Sequence, residues 1–176
     1  MSEPSDSDTP ALDTPEAILE DQLDEADYRI FKALNENGRM SDTELADRVN
    51  LSRTAVRRRR ENLMDSGFLR VLAVIVLQEA GLAYADVRIE LDQSAGAAER
   101  DALIEMLIDA DLIYTLHSCI GDYDLLVQTW HASLNNLKSY VWELLDDQPA
   151  VASYDLTPVV KTWKAWDQEL DRPSDS

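Results

Sequence analysis

The sequence predicts an α+β chain in three parts: an N-terminal helix-turn-helix domain of winged-helix-like plan, a linking strand, and a C-terminal ferredoxin-like βαββαβ sandwich. Three observations carry this expectation. Residues 41–69 hold two short helical patterns separated by a tight break, and five of the chain's sixteen Lys and Arg residues fall within positions 53–60. From Tyr84 onward the hydrophobic period switches in the order strand, helix, strand, strand, helix, strand, which is the split βαβ plan. Between the two lies Phe68–Leu77, a short apolar run rich in β-branched residues.

With 176 residues, 45% of them apolar, the chain can bury a core as one or two small domains. It has no long apolar run of membrane-spanning length, and its N-terminus lacks the basic-then-apolar layout of a signal peptide. A cytoplasmic protein without a membrane association is expected. A lone cysteine, Cys119, excludes an internal disulfide framework and a Cys-based zinc cluster, and nothing in the pattern implies a cofactor. The net charge of −19 is unevenly spread: residues 1–27 carry ten acids and no bases, residues 28–70 are net +4, and residues 71–176 are net −13. The one positive segment is therefore the one with the helix-turn-helix pattern, as an electrostatic footprint for DNA would be. The acidity elsewhere, with four Lys against twelve Arg, is similar to that of proteins from halophilic archaea.

Residues 1–22 are rich in Ser, Asp, Thr, Glu and Pro and read as a disordered acidic extension. A helix-turn-helix domain is expected over 23–69. Its first helix is capped by Asp24, buries Ala26, Ile30, Ala33 and Leu34, and stops at Asn37-Gly38. The second opens with a capping box, Ser41 with Glu44, and buries Leu45, Ala46 and Val49. Asn50 suits a left-handed stop, Leu51 pins the turn and Ser52 caps the third helix, which runs to Gly67. On that helix Val56, Leu63, Met64 and Gly67 form the expected buried stripe, while Thr54, Arg58, Glu61, Asn62 and Asp65 face out. Candidate DNA-contacting residues are Ser41, Ser52, Arg53, Thr54, Arg57, Arg58 and Arg59, since the first half of such a helix enters the major groove. Arginine there can grip guanine edges or neutralise phosphates. Arg60 falls near the buried stripe, where a charge requires that its stem pack and its head reach out.

A linking strand is expected within 70–83, its apolar faces covered by a second subunit or a domain. The sandwich should span 84–166. Tyr84–Leu91 alternates cleanly and reads as a half-buried strand. Ala98–Asp109 reads as a helix burying Leu103, Ile104, Leu107 and Ile108. Leu112–Ile120 and Tyr123–Trp130 read as strands joined at Gly121-Asp122. Ser133 caps a helix burying Leu134, Leu137, Val141, Leu144 and Leu145, and Val151–Thr162 closes the sheet. Residues 167–176 read as a disordered tail.

The run GRMSDTELADRVNLSRTAV, the Leu23-Asp24 opening, the Asn37-Gly38-Arg39 stop and GDYDLLV at 121–127 together resemble the Lrp/AsnC family of transcription regulators over roughly residues 23–163. That resemblance implies a sequence-specific regulator of double-stranded DNA that is not an enzyme. It implies a homodimer formed through the sandwich, extending in places to a tetramer or octamer. It also implies a small effector, commonly an amino acid, held at subunit interfaces near Gly121, Asp122, Tyr123 and Asp124. A tight turn with exposed amides suits a carboxylate, and aspartates suit an ammonium group. The chain departs from the family in carrying Arg60 at a usually apolar position, in its longer acidic extension, and in lacking Asn-Pro before the linker glycine.

Rival readings exist. His117 and Cys119 lie two apart on an expected strand with Asp122 and Asp124 nearby, a possible soft-metal or redox sensor, although such a pair is more often core packing. Trp130, Trp142, Trp163 and Trp166 fit core and oligomer contacts better than a ligand cage. A metabolite-binding protein with a vestigial DNA-binding half is opposed by the basic helix. An enzyme on the sandwich is opposed by the lack of a nucleophile–base pair or phosphate-cradling loop.

Overall fold

The computed structural model describes residues 14–19 and 21–171. The chain forms two compact units, one running to Ala73 and taking in Trp166–Gln168, the other running from Val74 to Ala165 and resuming at Glu169.

The first unit is helical: α1 (Pro15–Leu19), α2 (Glu25–Glu36), α3 (Asp42–Val49) and α4 (Arg53–Asp65). Each expected cap forms. Asp24 accepts the Asp27 N–H at 2.8 Å. Ser41 accepts the Glu44 N–H at 3.3 Å while the Glu44 carboxylate accepts the Ser41 N–H at 2.7 Å, and the latter bond holds the Glu44 carboxyl below its ordinary pKa. Asn50 ends α3 in the left-handed region at φ 55°, and Ser52 opens α4 by accepting the Ala55 N–H at 3.2 Å. Ile30, Leu34, Leu45, Val49, Val56 and Leu63 are buried at the centre of the unit.

Three sequence expectations for this part need correction. Met64 is 41% exposed and Gly67 is exposed as well, because Val56 and Leu63, seven residues apart, already make the full contact line of so short a helix; Gly67, at φ 74° just past the Ser66 cap, does end α4 as expected. The 1–22 extension contains a helix, α1, whose Leu19 packs on the helical core and accepts the Leu23 N–H at 2.8 Å; residues 1–13 and Glu20 of that extension lie outside the described residues. Phe68–Leu77 is no strand in this single chain. Its Leu72, Val74 and Ile75 are exposed, and a strand needs a neighbour for its backbone groups.

The second unit contains β1 (Ala83–Leu91), α5 (Ala97–Asp109), β2 (Ile113–Ser118), β3 (Leu125–His131), α6 (Leu134–Leu145) and β4 (Val151–Pro158). The sheet order is β2-β3-β1-β4, antiparallel throughout, as the βαββαβ plan requires. Val87 and Ile89 of β1, with Val127 of β3, meet Leu103 and Leu107 of α5 and Val141 and Leu145 of α6 in one core. Ile108 of α5 and Leu134 of α6 are exposed instead of buried: two helices sharing one sheet face each need only a narrow stripe. The four tryptophans also miss the core, with Trp142, Trp163 and Trp166 exposed and Trp130 half-buried.

The expected tail from 167 onward is also partly ordered. Lys164–Ala165 (β5) and Gln168–Glu169 (β6) form a small hairpin. Its turn, Trp166-Asp167, has φ of 50° and 60°, a left-handed pair normally supplied by Asn-Gly, which is why the sequence did not announce it. Within the first unit, Asn35 donates to the Trp166 carbonyl at 3.2 Å and accepts from Gln168 through its own carbonyl at 3.1 Å. Residues 172–176 lie outside the described residues.

Candidate nucleic-acid interface and effector loop

The N-terminal half of α4 is exposed at Ser52, Arg53, Thr54, Arg57 and Arg58. No acidic side chain occupies its first turn, so the positive end of the helix dipole and its free N–H groups stand open to a phosphate. The Ser52 oxygen accepts a cap hydrogen bond, which leaves its hydroxyl proton available to an anionic oxygen, whereas the Ser41 hydroxyl, also a cap acceptor, has the Glu44 carboxylate beside it. Arg57 pairs with Glu61 at 2.9 Å, both side chains more than half exposed, a contact that contributes little and yields readily. Among the described residues, no ion pair is formed by Arg53 or Arg58. Arg39 and Arg70 are exposed cations of the same unit that the sequence did not mark as DNA contacts: Arg39 stood out only as part of a helix stop, and Arg70 lies in no motif.

The other two arginines of the run turn inward. Arg59 donates to Asp24 at 2.6 Å and to Asp27 at 2.8 Å. Arg60 donates to the Met40 carbonyl and to Asp42, both at 3.3 Å, so its head reaches a neighbouring helix start instead of snorkelling to water. The Asp24 carboxyl is held below its ordinary pKa, first by the Asp27 N–H and also by the Arg59 guanidinium.

In the second unit, the β2–β3 connection runs from Cys119 to Asp124, wider than a two-residue hairpin. Gly121 has φ 148°, outside the range of most side-chain-bearing residues. Gly121 and Asp122 are exposed and Tyr123 is half-buried. Asp124 is built into the sheet: its N–H donates to the Ile89 carbonyl at 2.9 Å and its own carbonyl accepts the Cys119 N–H at 2.7 Å. Its carboxylate accepts the Leu91 N–H at 2.7 Å, where the β1–β4 register shifts between Glu90 and Leu91. Asp124 thus brings its loop to the end of β1, with one carboxylate oxygen occupied. His117 lies on β2 opposite Leu126, whereas Cys119 falls beyond the strand end. Among the described residues no group of three or more His, Cys, Asp or Glu could hold a metal ion.

An AsnC-type helix-turn-helix domain matches residues 23–64. The HTH-type transcriptional regulator PH0061 of Pyrococcus horikoshii is 30% identical over 108 residues, covering 61% of this chain and 71% of that protein. The chain belongs to the Lrp/AsnC family of helix-turn-helix transcriptional regulators. This is a family of DNA-binding regulators and not of enzymes. The proline dehydrogenase transcriptional activator of Rhizobium radiobacter is 27% identical over 148 residues, covering 82% of this chain and 93% of that protein. The fold is shared with the crystal structure of PH0061 at a TM-score of 0.72 and 23% identity, over 82% of this chain and 97% of that one. It is shared equally with a Neisseria meningitidis transcriptional regulator solved with L-Met, at a TM-score of 0.72 and 24% identity, over 87% of this chain and 97% of that one. Among the described residues no helix is long and apolar enough to cross a membrane.

Proposed function

We propose that this Lrp/AsnC regulator reads a DNA operator with Arg53, Thr54, Arg57 and Arg58 of α4, with Ser41 and Ser52 as phosphate contacts, in the cytoplasm and as a homodimer or a higher even-numbered assembly. The observation that carries this reading is the exposed, acid-free first half of α4 in the one positively charged stretch of an acidic chain. The exposed Leu72, Val74 and Ile75 of the linker support a second copy as the neighbour that this segment lacks.

The same reading assigns a small effector, an amino acid, to the surroundings of Gly121, Asp122 and Tyr123, with Asp124 supporting the loop. An exposed turn beside acidic side chains suits an α-ammonium group, and the Neisseria relative is a complex with L-Met. The acid-rich, Lys-poor composition supports operation at molar salt. Selection of operator duplexes from a random pool, followed by thermal shift against the twenty amino acids and common metals, tests both halves. Enriched duplexes and a shift by an amino acid that Asp122→Ala abolishes are expected. No enrichment overturns the DNA reading, and a shift by metals alone restores the His117/Cys119 sensor.

A further inference from the structure

The four-arginine run of α4 divides into an outward pair, Arg57 and Arg58, and an inward pair, Arg59 and Arg60. At about 100° per residue, Arg59 lies roughly 60° to one side of Val56 and Arg60 roughly 40° to the other, so the two flank the buried stripe. Arg59 is tied to α2 through Asp24 and Asp27, with its own side chain 27% and that of Asp27 19% exposed. Arg60 is tied to the start of α3 through Asp42 and the Met40 carbonyl. Arg48 of α3 pairs with Glu36 of α2. Every pair among α2, α3 and α4 is therefore bridged by an arginine–carboxylate contact.

A helix seated on two apolar side chains, Val56 and Leu63, has a single contact line and can roll about it. Tethers on both sides of that line, to two different helices, resist roll in either direction. We propose that Arg59, backed by Arg60, is a positioning residue that fixes the rotation of α4 at which Arg53, Thr54, Arg57 and Arg58 meet the operator, and that Arg59 itself does not touch DNA. This rests on the DNA-reading face proposed above. It gives the paired half of the run a role distinct from charge.

Asp27→Asn in the full chain makes the distinction, measured against the selected operator and against random duplex. By net charge alone, loss of an acid tightens binding to both. The tether instead has Asp27→Asn lose operator affinity several-fold while random-duplex affinity holds, since only base contacts need the exact rotation. Arg59→Met should lose operator affinity likewise, with an unchanged slope of log affinity against log salt, and Arg59→Asp combined with Asp27→Arg should recover it. Asp27→Asn binding the operator as well as the parent or better overturns the proposal. So does an Arg59→Met slope shallower by about 0.9, the value of one phosphate contact. If Arg59→Met does not fold, Asp27→Asn, which removes the carboxylate charge while leaving the arginine in place, decides alone. Arg58→Ala run alongside separates the two readings: unchanged operator affinity there fails the DNA-reading face, whereas loss there with none in Asp27→Asn fails only the tether.

Discussion

The two units solve the problem of cohesion differently. In the helical unit each helix satisfies its own backbone, so only side chains join one helix to the next: a core of eleven buried residues among those described and a set of arginine–carboxylate contacts at its margin. In the α/β unit the backbone itself joins the elements, with β1 paired along its length to β3 and β4. Two polar side chains there serve places where the ladder is irregular. Asp124 takes the Leu91 N–H at the Glu90/Leu91 shift. Thr129, buried on β3, donates to the Leu112 carbonyl at 2.8 Å beside the Ile113/Thr115 shift. Charge thus sets orientation in one unit, whereas in the other polar groups repair backbone pairing.

That contrast can be broken most forcefully at the core of the smaller unit. Leu45 is fully buried, and Leu45→Ala should cost about 2–5 kcal/mol. Calorimetry should show the helical transition fall and operator binding vanish while the α/β transition stays. Transitions that move together would mean that the units are not separable in stability. On the other side, Asp124→Ala leaves the Leu91 N–H without its acceptor and should cost the α/β unit about 1–3 kcal/mol. Asp124→Asn, which keeps an acceptor oxygen, should recover part of that in the same melting experiment.

Arg58→Ala should leave both transitions in place and cost about 1–3 kcal/mol of operator affinity if the guanidinium reads a base, measured by gel shift. Salt sharpens the contrast further, because the positive reading segment shares a chain with a body of net charge −13. The screening length shrinks from about 30 Å at 0.01 M to about 3 Å at 1 M, so repulsion between body and DNA fades before short-range contacts do. The plot of log affinity against log salt should be flat or rising over part of the range to molar potassium chloride. Removing residues 1–13, which carry four acids, should raise affinity at low salt; the cut stops there because Leu19 packs on the core. A steep negative slope unchanged by the truncation would make the acidity incidental.

The smallest effect is on acidification. Folding depresses the Asp24 carboxyl below its ordinary 3.8. Its contribution is therefore fully present above that value and is lost as pH falls through the lower folded one. Asp24→Asn should flatten the acid limb of the helical transition alone, as read by calorimetry over a pH series.

Much of this molecule was legible in the chain because the deciding interactions are local. Asp24, Ser41 with Glu44, Ser52 and Ser133 cap the helices they were expected to cap, since a cap joins residues two or three apart and needs no partner from elsewhere. The strand and helix order of the sandwich followed from hydrophobic period for the same reason. Where four consecutive arginines point is a different matter: Arg59 and Arg60 turned inward because Asp24, Asp27 and Asp42, between 18 and 35 positions away, stand beside them in the fold. Asp124 came to serve a strand end 33 positions back, and Phe68–Leu77 formed no strand because, among the described residues, no other strand pairs with it. Periodicity reports which side of an element is apolar. Which charge meets which, and whether an edge finds a partner, depends on distances that only the folded chain sets.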